Sequence, residues 1–205
     1  MSKLTMTTFL TLDGVMQAPG GPPEDPSGGF SYGGWLVPFF DQDMGKFMVE
    51  VFERADAFLL GRTTYQIFAG HWPRVTDPSD LIASKLNSLP KHVASKTLER
   101  VDWHASSLVT DVISAVPTLK DRYPRELQVH GSAGLAQTLL EHDLVDEYHL
   151  LVFPVVLGTG KRLFAAGAVP ATMKLLATRT TQSGTIIASY ARDGKPKLGS
   201  FMLDP

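Results

Sequence analysis

No cysteine occurs in the 205 residues, so disulfides, thiolate nucleophiles, zinc–cysteine sites and cysteine-held iron–sulfur clusters are all excluded. Histidine is sparse: those at 71, 92, 104, 130, 142 and 149 form no His-x-His pair and no helical i, i+4 pair with a carboxylate, so no metal site is expected. The one G-x-S-x-G spacing, Gly29-Phe30-Ser31-Tyr32-Gly33, falls inside a Gly- and Pro-rich stretch and not between a strand and a helix, so it is not the elbow of a serine hydrolase. Neither G-x-G-x-x-G nor a P-loop is present, since Gly158-Thr159-Gly160-Lys161 lacks the glycine spacing that cradles phosphates. Charge of one sign is also missing. A net charge of -2 without any Lys/Arg run offers no footprint for a nucleic-acid backbone or an anionic membrane. The longest apolar runs, such as Leu150 to Leu157, fall far short of the roughly 20 residues that a membrane-spanning helix needs. Met1-Ser2-Lys3-Leu4-Thr5-Met6 lacks the pattern of a signal peptide. These absences predict a cytoplasmic protein that binds any anionic ligand locally.

What is present is ordinary for a compact chain, with 43% hydrophobic and 20% charged residues. No linker divides it, so one domain over 1–192 is expected, followed by a tail over 193–205 in which Phe201-Met202-Leu203 could dock. Residues 4–12 read as a first strand ending at the turn pair Asp13-Gly14. Gln17 to Gly34 holds six Gly and four Pro, a composition that predicts a long loop, either a lid or a disordered excursion. From Asp43, the residues Met44, Phe47, Met48, Val51 and Phe52 recur at helical spacing. Strands over 57–60, 91–96, 104–109, 127–129 and 146–156 alternate with helices from Arg62 to Phe68, Ser79 to Leu89, Thr110 onward and Leu135 to His142. That alternation predicts a parallel sheet. Pro117 predicts a kink or a late start in the helix that Thr110 would cap. Segments 172–181 and 185–191, divided by Ser183-Gly184, predict a closing antiparallel hairpin.

Two segments have the form strand, glycine, helix start: Ala57-Phe58-Leu59-Leu60-Gly61-Arg62-Thr63-Thr64-Tyr65 and Leu127-Gln128-Val129-His130-Gly131-Ser132-Ala133-Gly134-Leu135. A helix start exposes unpaired N–H groups and the positive end of its dipole, and glycine lets a bound group come close. Thr63 and Thr64 add hydroxyls, and Arg62 can grip a phosphate with two nitrogens. Two such turns in one domain point to a ligand with several phosphates, of which dinucleotides are the common case. Ser132 is equally open to reading as an N-cap. Ser95-Lys96 brings a hydroxyl and a second cation, and no acidic residue follows soon after. This favours a cofactor with a ribose 2′-phosphate over one with a free 2′-hydroxyl.

In this order, Leu12-Asp13-Gly14, Gly61-Arg62-Thr63-Thr64-Tyr65, Val93-Ala94-Ser95-Lys96-Thr97-Leu98, Val129-His130-Gly131-Ser132 and Pro154-Val155-Val156-Leu157-Gly158-Thr159-Gly160-Lys161 resemble the dihydrofolate reductase superfamily. The likeness is greatest to the reductase domain of bifunctional riboflavin-biosynthesis deaminase-reductases. The resemblance covers most of residues 3–192 and implies a three-layer α/β/α fold, its central sheet mostly parallel with antiparallel C-terminal strands. It implies NADPH across the carboxyl ends of the strands. Arg62 and Ser95-Lys96 would meet the 2′-phosphate, with Gly61, Thr63 and Thr64 on one side of the pyrophosphate and Gly131, Ser132, Ala133, Gly134 and Leu135 on the other. Asp13 and Gly14 would lie near the nicotinamide, Gly158, Thr159 and Gly160 would border the cleft, and a homodimer is implied. The sequence departs from the pattern in two places. After Trp35-Leu36-Val37-Pro38, where folate reductases carry a pterin-binding carboxylate two residues past the proline, stands Phe40, with acids at Asp41 and Asp43. The chain also begins at the reductase strand, which predicts a stand-alone module without a zinc deaminase domain.

The resulting expectation is an NADPH-dependent oxidoreductase. It would transfer hydride to a C=N or C=O bond of a small heterocycle, pteridine- or pyrimidine-like, held under the 17–34 loop. Asp41 is the first candidate acid and Asp13 the second, each also readable as a helix cap. The alternatives are a non-catalytic nucleotide-binding protein, and a true folate reductase or riboflavin-pathway reductase.

Overall fold

The structure, a computed structural model, describes residues 2–165 and 168–202. Strand β1 (Lys3–Thr11) does not alternate between faces, because Leu4 to Thr8 are all buried. A strand covered on both sides belongs in the middle of a parallel sheet. There β1 pairs in parallel with β5 (Glu126–His130) on one side and β6 (Glu147–Phe153) on the other. Outward from β5 follow β2 (Ala55–Gly61), β3 (Lys91–Ala94) and β4 (Ser106–Val109), all parallel. Beyond β6 come the antiparallel β8 (Ile186–Arg192) and β7 (Met173–Thr180), giving the order β4-β3-β2-β5-β1-β6-β8-β7.

Helices cover both faces. Helix α1 (Gln42–Glu53) buries Met44, Phe47, Met48, Val51 and Phe52, the stripe read from the sequence. With α3 (Leu81–Ser88) it closes one core over Phe58, Leu60, Leu151 and Phe153. On the opposite face α4 (Val112–Arg122) and α5 (Ala133–Glu141) press Val116, Leu119, Leu135, Ala136 and Leu139 onto Leu4, Met6, Leu127 and Val129. Helix α2 (Arg62–His71) buries Tyr65 alone. The three-layer α/β/α architecture with antiparallel C-terminal strands is the expected one. Truncating a fully buried residue such as Phe58 would cost about 3–5 kcal/mol.

Some local expectations are corrected. Asp111, not Thr110, caps α4, because its carboxylate accepts from Ser114 N. The helix then runs through Pro117 without a delayed start. The C-terminal hairpin is as expected, turning through Thr181 to Thr185 with Gly184 in the left-handed region at φ 84°. In the tail, Phe201 and Met202 are exposed and dock on nothing among the described residues; Leu203 lies outside them.

The loop over 17–34 is built, not disordered. Gln17 Nε2 donates to the carbonyls of Asp25 and Ser27, both at 3.0 Å, while Trp35 Nε1 donates to the Gln17 carbonyl at 2.7 Å. The two arms cross at Gly33, where a Cβ would fall 2.6 Å from Pro22 Cα. No helix among the described residues is long and apolar enough to cross a membrane.

Candidate active site

Strand β1 runs on to Thr11, whereas β5 stops at His130, opposite Thr7. Over the shorter strands opens a cleft of about 1310 Å³. It lies at the carboxyl ends of parallel strands, where such sheets bind ligands.

Two helices begin on this cleft, α2 directly after β2 and α5 just after β5. Neither has a side-chain cap, whereas α1, α3 and α4 are capped by Asp41, Asp80 and Asp111. The first-turn N–H groups of α2 and α5 therefore remain available to an anion. Ser132 is not the cap that its sequence position allows. Its backbone is left-handed at φ 63°, a conformation that costs a non-glycine residue roughly 1–2 kcal/mol. In that posture its Oγ accepts from Gly61 N at 3.0 Å and lies 2.9 Å from Thr64 Oγ1. The two helix starts are thus pinned to each other. Glycine at 61 eases the close approach, since a Cβ there would stand a tight 3.2 Å from Ser132 Oγ.

Gly61, Arg62, Thr63, Thr64, Ser95, Lys96, Gly131, Ser132, Ala133, Gly134 and Leu135 all line the cleft. Arg62 donates to Thr97 Oγ1 at 2.9 Å, which extends its side chain toward the loop after β3. Ser95 Oγ accepts from Thr97 N and Leu98 N, ordering that loop and leaving its proton to donate. Asp111, which the sequence did not reveal as a neighbour, lies close enough to Lys96 for that cation to help lower its pKa. Its main cause of lowering is the Ser114 hydroxyl, 2.7 Å from Oδ2, so both carboxylate oxygens serve the α4 cap.

The floor of the cleft contains two buried hydroxyls, Thr7 Oγ1 and Thr8 Oγ1, without any partner among the described residues. Buried polar groups are nearly always paired, so these two hydroxyls, shut off beneath the cleft floor, are exceptions. The opposite wall comes from the loop after β1, including Glu24 and Asp25, with Phe40, Met44, Met48 and Phe52 alongside. Burial raises the Glu24 carboxyl above its ordinary range, against the opposing pull of the Gly20 and Gly21 N–H groups. Lys161 pairs with Asp25 at 2.6 Å.

Several expected site residues lie elsewhere. Asp41 does not line the cleft; it caps α1 through Met44 N at 2.9 Å and holds Ser183 N at 2.9 Å, and these bonds pull its pKa down to about 2. Asp13 is likewise outside. Thr11 Oγ1 donates to it at 2.6 Å, Gly158 N at 2.8 Å and Arg162 at 3.2 Å, holding its carboxyl well below the usual range. Gly14, Gly158, Thr159 and Gly160 belong to the same clasp between two loops and do not touch the cleft. At Gly160 a Cβ would fall 2.7 Å from Val15 Cγ1, so this glycine serves packing. A carboxylate saturated by donors favours its ionised form and is a poor acid. Glu24, Thr7, Thr8 and His130 are among the cleft residues that sequence reasoning missed; only the register of β1 against β5 sets Thr7 opposite His130.

Comparison with known proteins agrees with this geometry. Residues 2–187 match the family model described as the RibD C-terminal domain. An uncharacterized protein of Bacillus subtilis, YyaP, is 27% identical over 194 residues, spanning 94% of this chain and 96% of that protein. Among solved structures, a putative riboflavin biosynthesis protein from Shewanella superposes with a TM-score of 0.69 at 22% identity, covering 93% of this chain and 99% of the other. The Thermotoga maritima diaminohydroxyphosphoribosylaminopyrimidine deaminase/5-amino-6-(5-phosphoribosylamino)uracil reductase matches with a TM-score of 0.62 at 14% identity, over 94% of this chain and 58% of that one. With its model matched over nearly the whole length, the chain belongs to the RibD C-terminal domain family.

Proposed function

We propose that this protein is an NADPH-dependent reductase that transfers hydride to a C=N or C=O bond of a small pyrimidine- or pteridine-like heterocycle. One observation carries the reading: two uncapped helix starts, pinned together by Ser132, face the cleft. The residues present fit a dinucleotide. Thr63, Thr64 and the first turns of α2 and α5 suit a pyrophosphate, while Arg62 and Lys96 suit a further phosphate beyond β2 and β3. NADPH, when bound, supplies the hydride. The chain positions both partners, excludes water with the 17–34 loop and offers the Glu24 carboxyl, which burial shifts toward the protonated form, as the proton donor.

The family membership supports a reductase of pyrimidine-like compounds. A second reading, a nucleotide-binding protein without turnover, is favoured by the withdrawal of Asp13 and Asp41 from the cleft. We also propose a homodimer, on the resemblance and on the exposed Leu175 and Leu176 along the sheet-edge strand β7. Thermal unfolding with NADPH and NADH tests the main reading. Ligand at 100 times its Kd adds about 2.7 kcal/mol of stability, and this is expected for NADPH. No shift with either nucleotide would sink the proposal, and binding without oxidation by any imine or carbonyl acceptor would select the second reading.

A further inference from the structure

Strand β5 places Glu126, Gln128 and His130 at alternate positions, so all three point to the α1 face, and all are buried. Arg54, at the end of α1, donates from Nε to Glu126 Oε1 at 2.6 Å. Gln128 Nε2 lies 2.7 Å from Glu126 Oε2 and 2.7 Å from the Val51 carbonyl. The carbonyl can only accept, which fixes the amide nitrogen on that side and turns Gln128 Oε1 to His130 Nε2 at 3.1 Å. An amide oxygen cannot donate, so the proton in this contact belongs to Nε2. The neutral ring then has a bare Nδ1. Burial, aided by His149 nearby, pushes the His130 pKa down to about 3, and Phe52 stacks on the ring at 4.5 Å. His130 lines the cleft, and Nδ1 has no partner among the described residues. Thr7, whose hydroxyl is buried and unpaired, is its register partner on β1.

The cation at this end, Lys161, is neutralised by Asp25. Arg62 and Lys96 make no ion pair among the described residues, but they follow β2 and β3, two and three strands from β1. At ~4.8 Å per strand these separations are about 10 and about 14 Å.

We propose that His130 is the specificity-determining residue at the β1 end of the cleft: its bare Nδ1 accepts a hydrogen bond from an N–H on the flat ring bound there, and a phosphate ester is turned away. The inference rests on reading the cleft as that of a dinucleotide-dependent reductase. It names the ligand chemistry as an uncharged or protonated nitrogen ring bearing N–H, supplied either by the substrate or by the carboxamide of the nicotinamide. Gln128 is the positioning residue that fixes the tautomer.

Two measurements on the full chain test this. Nitrogen-15 spectra of the histidine rings should show His130 protonated on Nε2 and neutral across about pH 5 to 8; a proton on Nδ1, or a titrating cation, overturns the proposal. Calorimetry then compares matched pairs. One pair is NADPH and its 3-acetylpyridine analogue, which lacks the amide N–H. The other, with NADP+ present, is 2,4-diaminopyrimidine and 2,4-dimethoxypyrimidine. Leaving a buried acceptor unpaired is worth about tenfold or more, so at least one pair should favour its N–H-bearing member by that factor. The pair that does so identifies the source. His130→Phe keeps a ring against Phe52 and removes the acceptor, and should bring that preference to within about threefold. Ribose 5-phosphate should not bind at this end. Equal affinities within both wild-type pairs, an undiminished preference in His130→Phe, or tight binding of ribose 5-phosphate beside NADP+ each refute the proposal. Should the variant not fold, the spectra and the wild-type pairs decide alone. A pyrimidine preference without any NADPH binding would remove the reductase reading and leave the role of His130 standing.

Discussion

Ser132 allows the cost of a strained backbone to be separated from the bonds it makes. Ser132→Ala removes the Oγ that accepts from Gly61 N and neighbours Thr64 Oγ1. A neutral hydrogen bond contributes about 0.5–1.5 kcal/mol, and a buried donor left unpaired costs about 1–3. Gly61 is only half-buried, so water relieves part of that penalty and a loss of about 1.5 kcal/mol is expected. Alanine keeps the left-handed strain at φ 63°. Ser132→Gly loses the same bonds but releases that strain, about 1 kcal/mol, so its net loss should be about 0.5 kcal/mol. Urea unfolding measures both. Calorimetric titration with NADPH should show both variants weakened about three- to tenfold, because the two helix starts are no longer pinned. A glycine variant less stable than the alanine variant would refute the strain argument, and wild-type affinity in both would refute the role of the pin.

Arg62→Ala should weaken NADPH by about 10- to 100-fold and NADH by less than about twofold, since only the former offers a 2′-phosphate to a charge-assisted bond; fluorescence titration reads this, and equal losses would show that Arg62 does not read that group. Asp41→Ala should cost about 1 kcal/mol at pH 7 through the lost α1 cap without changing nucleotide affinity. The folded pKa of about 2 lies below the ordinary 3.8, so this contribution is present above the unfolded pKa and fades as pH falls from about 4 toward 2; urea midpoints of both proteins should converge there. Leu175→Glu on β7 should shift a dimer toward monomer in light scattering, and an unchanged mass would refute this edge as the contact.

The sheet was legible because its signals are long and periodic. The stripe from Met44 to Phe52 allows one buried face, and the glycine-helix turns at Gly61 and Gly131 mark where strands stop. The two cations and both helix starts were found for the same reason, each lying within a local motif. The acids were not. On a sequence, a carboxylate before a helix looks the same whether it caps that helix or serves chemistry, and only the donors around Asp41 and Asp13 separate the cases. Glu24 sits in a segment without period, and the state of His130 depends on a chain through Gln128, Glu126 and Arg54 that crosses from β5 to α1. Such contacts have no footprint in local spacing.

The bare ends of α2 and α5 also bear on how long a molecule survives. Each missing cap leaves the empty protein about 1 kcal/mol weaker than it could be, and an occupant anion satisfies those same N–H groups. Proteases that attack transiently opened chains would remove empty copies several times faster than filled ones, so the cellular abundance of this protein would rise and fall with the supply of its ligand.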